Sequence, residues 1–396
     1  MSEIKVNSIK GTGASTAAIT IDSSAGTCTA NITNRSNKNL IINGAYLVAQ
    51  RSTSSTANGY GSVDRFRCSF SAVSENPTQS QVDVSSGTTP YTLGFRKAFK
   101  IQNGNQTTTY GNSNIRLMYR VESQDVANSG WNYLSSSSYV TLSFWIKASV
   151  SQNYYGFLLN EDTTQNVYPF ETGSLTANTW TKITKTIPGN YNLTFNNDTG
   201  AGLRVSVYGY LGTDLTSSSM SLNSWTTYDG SNFTPDNTST WFTTNDATLE
   251  FTGFQLELGS VATDFEHLSY AEQFRRCARY CYQCGADQML GFGQVWSGSG
   301  YVKIFPPIPT NMRAKPSVSK SIGTGSVWFV SYQGNSGFAG NRDVTVEGNT
   351  MDPNPHTSSN VFRIFVHNGS NQGNGTTVMS WMHDTTGIFL RLDAEI

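Results

Sequence analysis

FQLELGSVATDFEHLSYAEQFRRCARYCYQC, residues Phe254 to Cys284, changes its hydrophobic period halfway along, and that change sets the architecture. Up to Phe265 the text reads as a strand closing in a loop. Phe254, Leu256 and Leu258 fall on one side and Gln255 and Glu257 on the other, the alternation of an extended chain. From Ser269 the spacing turns helical. Tyr270, Phe274, Cys277, Cys281 and Cys284 follow a 4-3-4-3 rhythm that places all five on one helical face. Ser269 stands as an N-cap with Glu272 as its capping-box partner, and Gly285 sits where a left-handed residue closes a helix. The pattern predicts a β domain, then one short linking helix over 269–286, then a second region.

Composition supports an all-β class. Charged residues are 13% of the 396, about half the share usual in soluble domains. Aromatics reach 12%, with 19 Tyr, 21 Phe and 8 Trp, which a disordered chain would lack. Turn pairs such as Asn58-Gly59, Thr199-Gly200 and Asp229-Gly230 punctuate short strand-like runs, the habit of a sandwich. In one run Val140, Leu142, Phe144 and Ile146 alternate with Thr141, Ser143, Trp145 and Lys147. Trp145 lies on the polar side, where it either offers a ligand platform or packs under a loop. Trp180 reads as core, together with Phe144, Phe254 and Leu256.

Several function classes are disfavoured. Formal net charge is −1, pI is near 6.4 and no run of Lys or Arg occurs, so a nucleic-acid partner is not expected. No apolar stretch approaches the ~20 residues a membrane helix needs. Met1 to Lys10 has no apolar signal core, so the chain is expected to be made in a reducing cytosol. Cys28, Cys68, Cys277, Cys281 and Cys284 are then expected as thiols, and neither metal nor cofactor is expected. No nucleophile elbow, phosphate loop, dinucleotide fingerprint or H-E-x-x-H pair is present. Glu122 with Asp125, and Glu161 with Asp162, are the carboxylate pairs a glycosidase reading would nominate.

The segment from Phe254 to Cys284 resembles the end of a carbohydrate-binding-module-like jelly roll found in bacteriophage tail-fibre and virion structural proteins. NLIINGAYLVAQRS (Asn39 to Ser52) and SVDRFRCSF (Ser62 to Phe70) resemble its opening. IRLMYRVESQDV, YVTLSFWIKAS and NTWTKITKTIPG resemble its interior strands. The resemblance implies a jelly-roll β-sandwich over 39–268 and a smaller distal β domain over 287–396. It also implies that 1–38 is an anchoring arm attached to other virion proteins. It further implies a homotrimeric, non-enzymatic tail fibre located in the virion, recognising a host-surface glycan or protein. A decoration protein without a receptor and a glycan-degrading enzyme are the alternatives.

Saccharide sites use aromatic faces flanked by polar groups. The loop aromatics Tyr60, Trp131, Tyr133, Trp225, Tyr228 and Trp241 are therefore the sugar-contacting candidates, with Tyr332 and His356 as distal contacts. Tyr154 and Tyr155 belong to the same pool. Tyr270, Phe274, Cys277, Cys281 and Cys284 are the expected subunit seam.

Overall fold

The computed structural model describes residues 6, 8–10, 12, 19–22, 27–30, 37–285, 288–297, 301–305, 307–321, 327–331, 364–367, 377–382 and 389–396. Strands β1 (Ser8–Ile9), β2 (Ile19–Asp22) and β3 (Thr27–Ala30) pair as a small antiparallel sheet. The body begins with β4 (Ser54–Ser55), β5 (Arg67–Ser71), β6 (Thr78–Asp83), β7 (Lys97–Gln102) and β8 (Asn114–Glu122). It continues with β9 (Tyr139–Ala148), β10 (Asn153–Asn160), β11 (Asn166–Ser174) and β12 (Thr181–Pro188). Last come β13 (Ala201–Leu211), β14 (Thr226–Thr227) and β15 (Thr248–Leu258). Two six-stranded antiparallel sheets result, ordered β14-β11-β10-β13-β8-β5 and β12-β9-β15-β7-β6-β4. This is the jelly-roll sandwich that the alternating runs require. Helices are short: α1 (Thr89–Thr92) and α2 (Ser123–Ala127) are single turns, and α3 (Tyr270–Ala278) is the linking helix.

The core lies between the sheets. Phe144 of β9 and Phe254 of β15 stack at 4.5 Å, both essentially unexposed. Phe66, Tyr46 and Phe99 extend the aromatic cluster. A bulge in β15 shifts the register between Thr252 and Gln255, with Gly253 at φ +65°, so Phe251 and Phe254 both point inward. Leu256 is buried as expected. Trp180 is not in this core: it is half-buried and packs with the outer-face cluster of Ala45, Val84, Phe95 and Ala98. Its position just before β12 turns it away from Ile183 and Ile187, which supply the inward face.

Helix α3 starts as its cap predicts, Glu272 N–H donating to Ser269 Oγ at 3.3 Å, but it stops at Ala278. Cys281–Cys284 is strand β16, paired with β23 (Phe389–Asp393). Gly285 therefore does not close a helix, and the five-residue stripe is not one helical face. The reason is tertiary. Residues 281–284 exchange ladder hydrogen bonds with β23, and Ala394 N–H donates to Tyr280 O at 2.7 Å, which a continued helix could not accept. Cys277, Cys281 and Cys284 are buried within their own chain, at 0%, 0% and 2% exposure. Of the five residues expected at a subunit seam, Tyr270 and Phe274 are the two that keep an accessible face.

Beyond β16 lie β17 (Met289–Ser297), β18 (Tyr301–Phe305), β19 (Ser317–Ser321), β20 (Val327–Ser331), β21 (Ile364–His367) and β22 (Thr377–Met382). They form sheets ordered β16-β23-β19 and β20-β22-β17-β18-β21. The chain then returns to the sandwich. Glu395 pairs with Arg65, which is wholly buried, and with Arg51 at 3.3 Å, while Asp393 also meets Arg51 at 2.8 Å. The Arg65 guanidinium lies 3.4 Å from the centre of the Tyr280 ring and 5.0 Å from that of Tyr119. Arg279 at the end of α3 grips Glu122 through two 2.7 Å bonds.

Candidate functional site

The outer face of the β12-β9-β15-β7 sheet carries a second layer. Its outward side chains include Thr141, Ser143 and Trp145 of β9, Lys182 of β12, and Thr252, Gln255 and Glu257 of β15, matched by register. The loop after β15 crosses this face and is fastened to it. Thr141 Oγ1 donates to Gly259 O at 2.7 Å, Thr263 N–H to Glu257 Oε1 at 2.8 Å, and Glu266 N–H to Gln255 Oε1 at 2.9 Å. The polar side of β15 is thus buried under its own continuation, with Gln255 and Glu257 at 1% and 2% exposure. Each polar group there has a partner, which offsets the desolvation.

Where the loop leaves the sheet, a groove of about 270 Å³ remains. Phe95, Phe265 and His267 form one wall, their rings 4.9–5.1 Å apart. Trp145 and Lys182 form the other, and Ser143, Thr263 and Asp264 add polar atoms. Two glycines make room. A Cβ on Gly253 would lie 2.7 Å from the Phe95 ring, and one on Gly94 (φ +97°) would lie 3.2 Å from His267. His267 Nε2 meets Leu93 O at 2.9 Å, which fixes that ring. Beyond the groove, the Lys147 ammonium lies 5.3 Å from the Trp180 ring centre and pairs with Glu250 at 2.8 Å. Half-buried Trp145 and Phe265 and exposed His267, with Phe95 buried behind them, stand beside polar side chains, a lining that suits a flat, hydroxylated ligand. Among the lining residues Asp264 is the single carboxylate.

None of the loop aromatics nominated from sequence lines this groove. Trp131 (4% exposed) and Trp241 (0%) are core, a correction with a packing cause. Trp131 packs among Tyr133 and Phe195, and Trp241 fills the space left by the missing side chain of Gly209. Tyr133 packs edge-on against Phe195 at 4.9 Å, and Trp225 donates to Pro188 O at 2.7 Å. Tyr60 donates to Ile396 O at 2.8 Å, and Tyr228 stacks on Phe233 at 4.9 Å. Of the wider pool, Tyr154 is core and Tyr155 is half-buried. Tyr332 and His356 lie outside the described residues. From sequence His267 reads as a junction residue and Phe265 as the end of a strand and its loop, and nothing singles out Phe95; Trp145, on the polar side of its strand, is the one usable signal.

The nominated carboxylate pairs serve structure. Burial drives the Glu122 carboxyl upward, but its hydrogen bonds from Arg279 outweigh this and leave it below the usual range. Burial, then the charge of Glu122, raises Asp125. Glu161 is held by Arg120 and Arg204, and Asp162 accepts from Ser123 and Asn196. Burial raises all four described thiols, Cys68 to about 12. Among the described residues no three His, Cys, Asp or Glu converge as a metal site, and no helix is long and apolar enough to cross a membrane.

No protein-family model matches the chain, and no curated protein matches it. Among solved structures it is similar to the enzymatically active domain of tailspike protein 4 of bacteriophage CBA120. Identity there is 10%, coverage is 56% of this chain and 21% of that one, and the TM-score is 0.29. This chain thus spans about a fifth of that protein. It is also similar to the N-terminal cellulose-binding domain of Cellulomonas fimi β-1,4-glucanase C (9% identity, 54% and 99% covered, TM-score 0.26). A family 11 carbohydrate-binding module from Clostridium thermocellum matches at 10% identity (53% and 96% covered, TM-score 0.23). Similarity at this level does not assign a function.

Proposed function

We propose that the chain is a non-catalytic glycan-binding protein of a phage appendage, and that the groove walled by Trp145, Phe95, Phe265 and His267 contacts the sugar. The observation that carries this reading is the groove itself: aromatic side chains held by packing, with Lys182, Ser143, Thr263 and Asp264 in the same lining. Its single carboxylate supports a binding role, because glycoside hydrolysis needs two across one bond. The sequence resemblance of the body to virion modules supports placement on a particle, with 1–38 toward the virion.

The test is calorimetric titration of the full chain with host-surface polysaccharides, alongside a reducing-sugar assay. Binding is expected without release of reducing ends, and Trp145→Ala should weaken it roughly tenfold or more, since stacking on an aromatic face contributes about 1–3 kcal/mol. No binding by any polysaccharide, or binding indifferent to Trp145→Ala, refutes the site; release of sugar refutes the non-catalytic role. A trimer is part of the same proposal, with the roughly 670 Å³ trough beside Phe274, Tyr282 and Pro307–Pro309 as the contact surface it would use. Light scattering that gives a monomer mass would exclude it.

A further inference from the structure

The opposite outer face, on the β10-β13-β8-β5 side, is divided in two. Over β10 and β11 it is apolar, with Phe157, Leu159 and Val167 covered by Phe233 and Met220 from the long β13–β15 connection. Over β13, β8 and β5 it is cationic. Register sets Arg204 beside Arg120, Ser206 beside Met118 beside Arg67, and Tyr208 beside Arg116 beside Ser69. Four guanidiniums therefore rise from three adjacent strands, within about 10 Å across the sheet. One side-chain carboxylate, Glu161, meets them, 2.7 Å from Arg120 and 2.9 Å from Arg204, and Arg120 also donates to Ile396 O at 3.1 Å. Arg67 and Arg116 receive no carboxylate among the described residues, and Arg116 only donates to Tyr208 Oη at 2.9 Å.

Donors are left over. The Nε atoms of Arg67, Arg116 and Arg204 and the Ser206 hydroxyl are buried without a hydrogen-bond partner, in side chains that include Arg204 at 9% and Ser206 at 1% exposure. Leaving such groups unpaired costs stability, and like charges facing one another add to the cost. Burial and the neighbouring arginines both act to lower Arg67 and Arg204. Elsewhere buried arginines also keep an unpartnered donor, Nη1 of Arg51 and Nε of Arg65, but those two are matched in charge by Asp64, Asp393 and Glu395. The imbalance is local to one face of a chain whose formal net charge is −1.

We propose that this face is a second binding site, for the oxyanion of an acidic saccharide such as a uronate. Guanidinium forks match carboxylate oxygens in pairs, and half-buried Arg67 and Arg116 have no carboxylate partner among the described residues. Half-buried Tyr60 borders the patch near Arg67 and Arg120, and Phe233, with Tyr228 stacked on it, lies 5.7 Å from the Arg116 guanidinium. Aromatic edges around a compact cationic patch fit one charged sugar residue. A nucleic acid would need an extended basic track. That the ligand is a saccharide rests on the glycan-binding reading above, but the site lies on the other sheet and is separable from the Trp145 groove.

The experiment titrates the full chain at constant ionic strength with a galacturonate oligomer and with its methyl ester, which differ only in charge. Sulfate and a short single-stranded DNA are the other ligands. The acid form should bind roughly tenfold tighter than the ester, or more. Arg67→Gln/Arg116→Gln should abolish that ratio, because two charge-assisted bonds contribute at least that much, while leaving the melting temperature unlowered. Trp145→Ala should leave the ratio unchanged even where it weakens binding of both forms. Equal binding of acid and ester overturns the proposal, as does a ratio insensitive to the double substitution. Preferential binding of DNA would make the site one for nucleic acid, and sulfate binding without uronate binding would make it an inorganic anion site; either result overturns the saccharide assignment.

Discussion

Glu395→Gln should unlock the chain's end from the sandwich. Glu395 is 4% exposed at its side chain and serves two buried cations, Arg65 at 0% and Arg51 at 4%. Removing its charge leaves Arg51 with Asp393 at 2.8 Å and Asp64 at 3.7 Å. Arg65 keeps no carboxylate among these pairs, only Arg120 O at 2.6 Å and the Tyr280 and Tyr119 rings. Breaking a buried pair from one side costs about 3–5 kcal/mol. The surviving carbonyl and ring contacts place this case at the lower end, about 3 kcal/mol. At ~2 °C per kcal/mol for a unit of this size, the melting temperature should fall by about 6 °C. Calorimetry on Glu395→Gln, Arg65→Met and Arg65→Met/Glu395→Leu reads it directly. The double variant should be more stable than Glu395→Gln, because it removes the stranded charge. A fall under about 1 kcal/mol, or a double variant no better than the single, would refute the claim that the terminal residues are part of the sandwich's ionic core.

Burial raises Asp64 to about 6 against the pull of Arg51. A raised folded value means its stabilising contribution is complete below its ordinary range near 3.8 and is lost as pH rises through about 6. From about pH 4 to pH 7, wild type should lose on the order of 2–3 kcal/mol relative to Asp64→Asn; parallel melting curves across that range would contradict this. Burial holds the thiols of Cys68, Cys277, Cys281 and Cys284 in their inert form. In a Cys28→Ser background, a thiol-exchange reagent near pH 8 should find no reactive group until denaturant is added, and prompt modification would show that the 277–284 segment opens.

Whatever depends on neighbours a few residues apart was legible before any fold was known. Alternation along β9 and β15 identified strands and their buried faces, turn pairs marked their ends, and Ser269 with Glu272 marked the start of α3. Those signals are local because side chains two apart in a strand, or three and four apart in a helix, share a face whatever the rest of the chain does. The alternation of Arg116, Met118 and Arg120 with Leu117, Tyr119 and Val121 was equally available, yet it names only a face. That β5 and β13 bring Arg67 and Arg204 alongside depends on register, which no local pattern contains. The Trp145 groove is assembled from Phe95, Trp145 and the 263–267 loop, three segments joined only by the sheet order and the bulge at Gly253. The helical rhythm that ran on to Cys284 failed for the same reason. Residues 281–284 had a helical spacing, but β23 supplied a ladder partner from more than a hundred residues away, and those distant hydrogen bonds outweighed local periodicity.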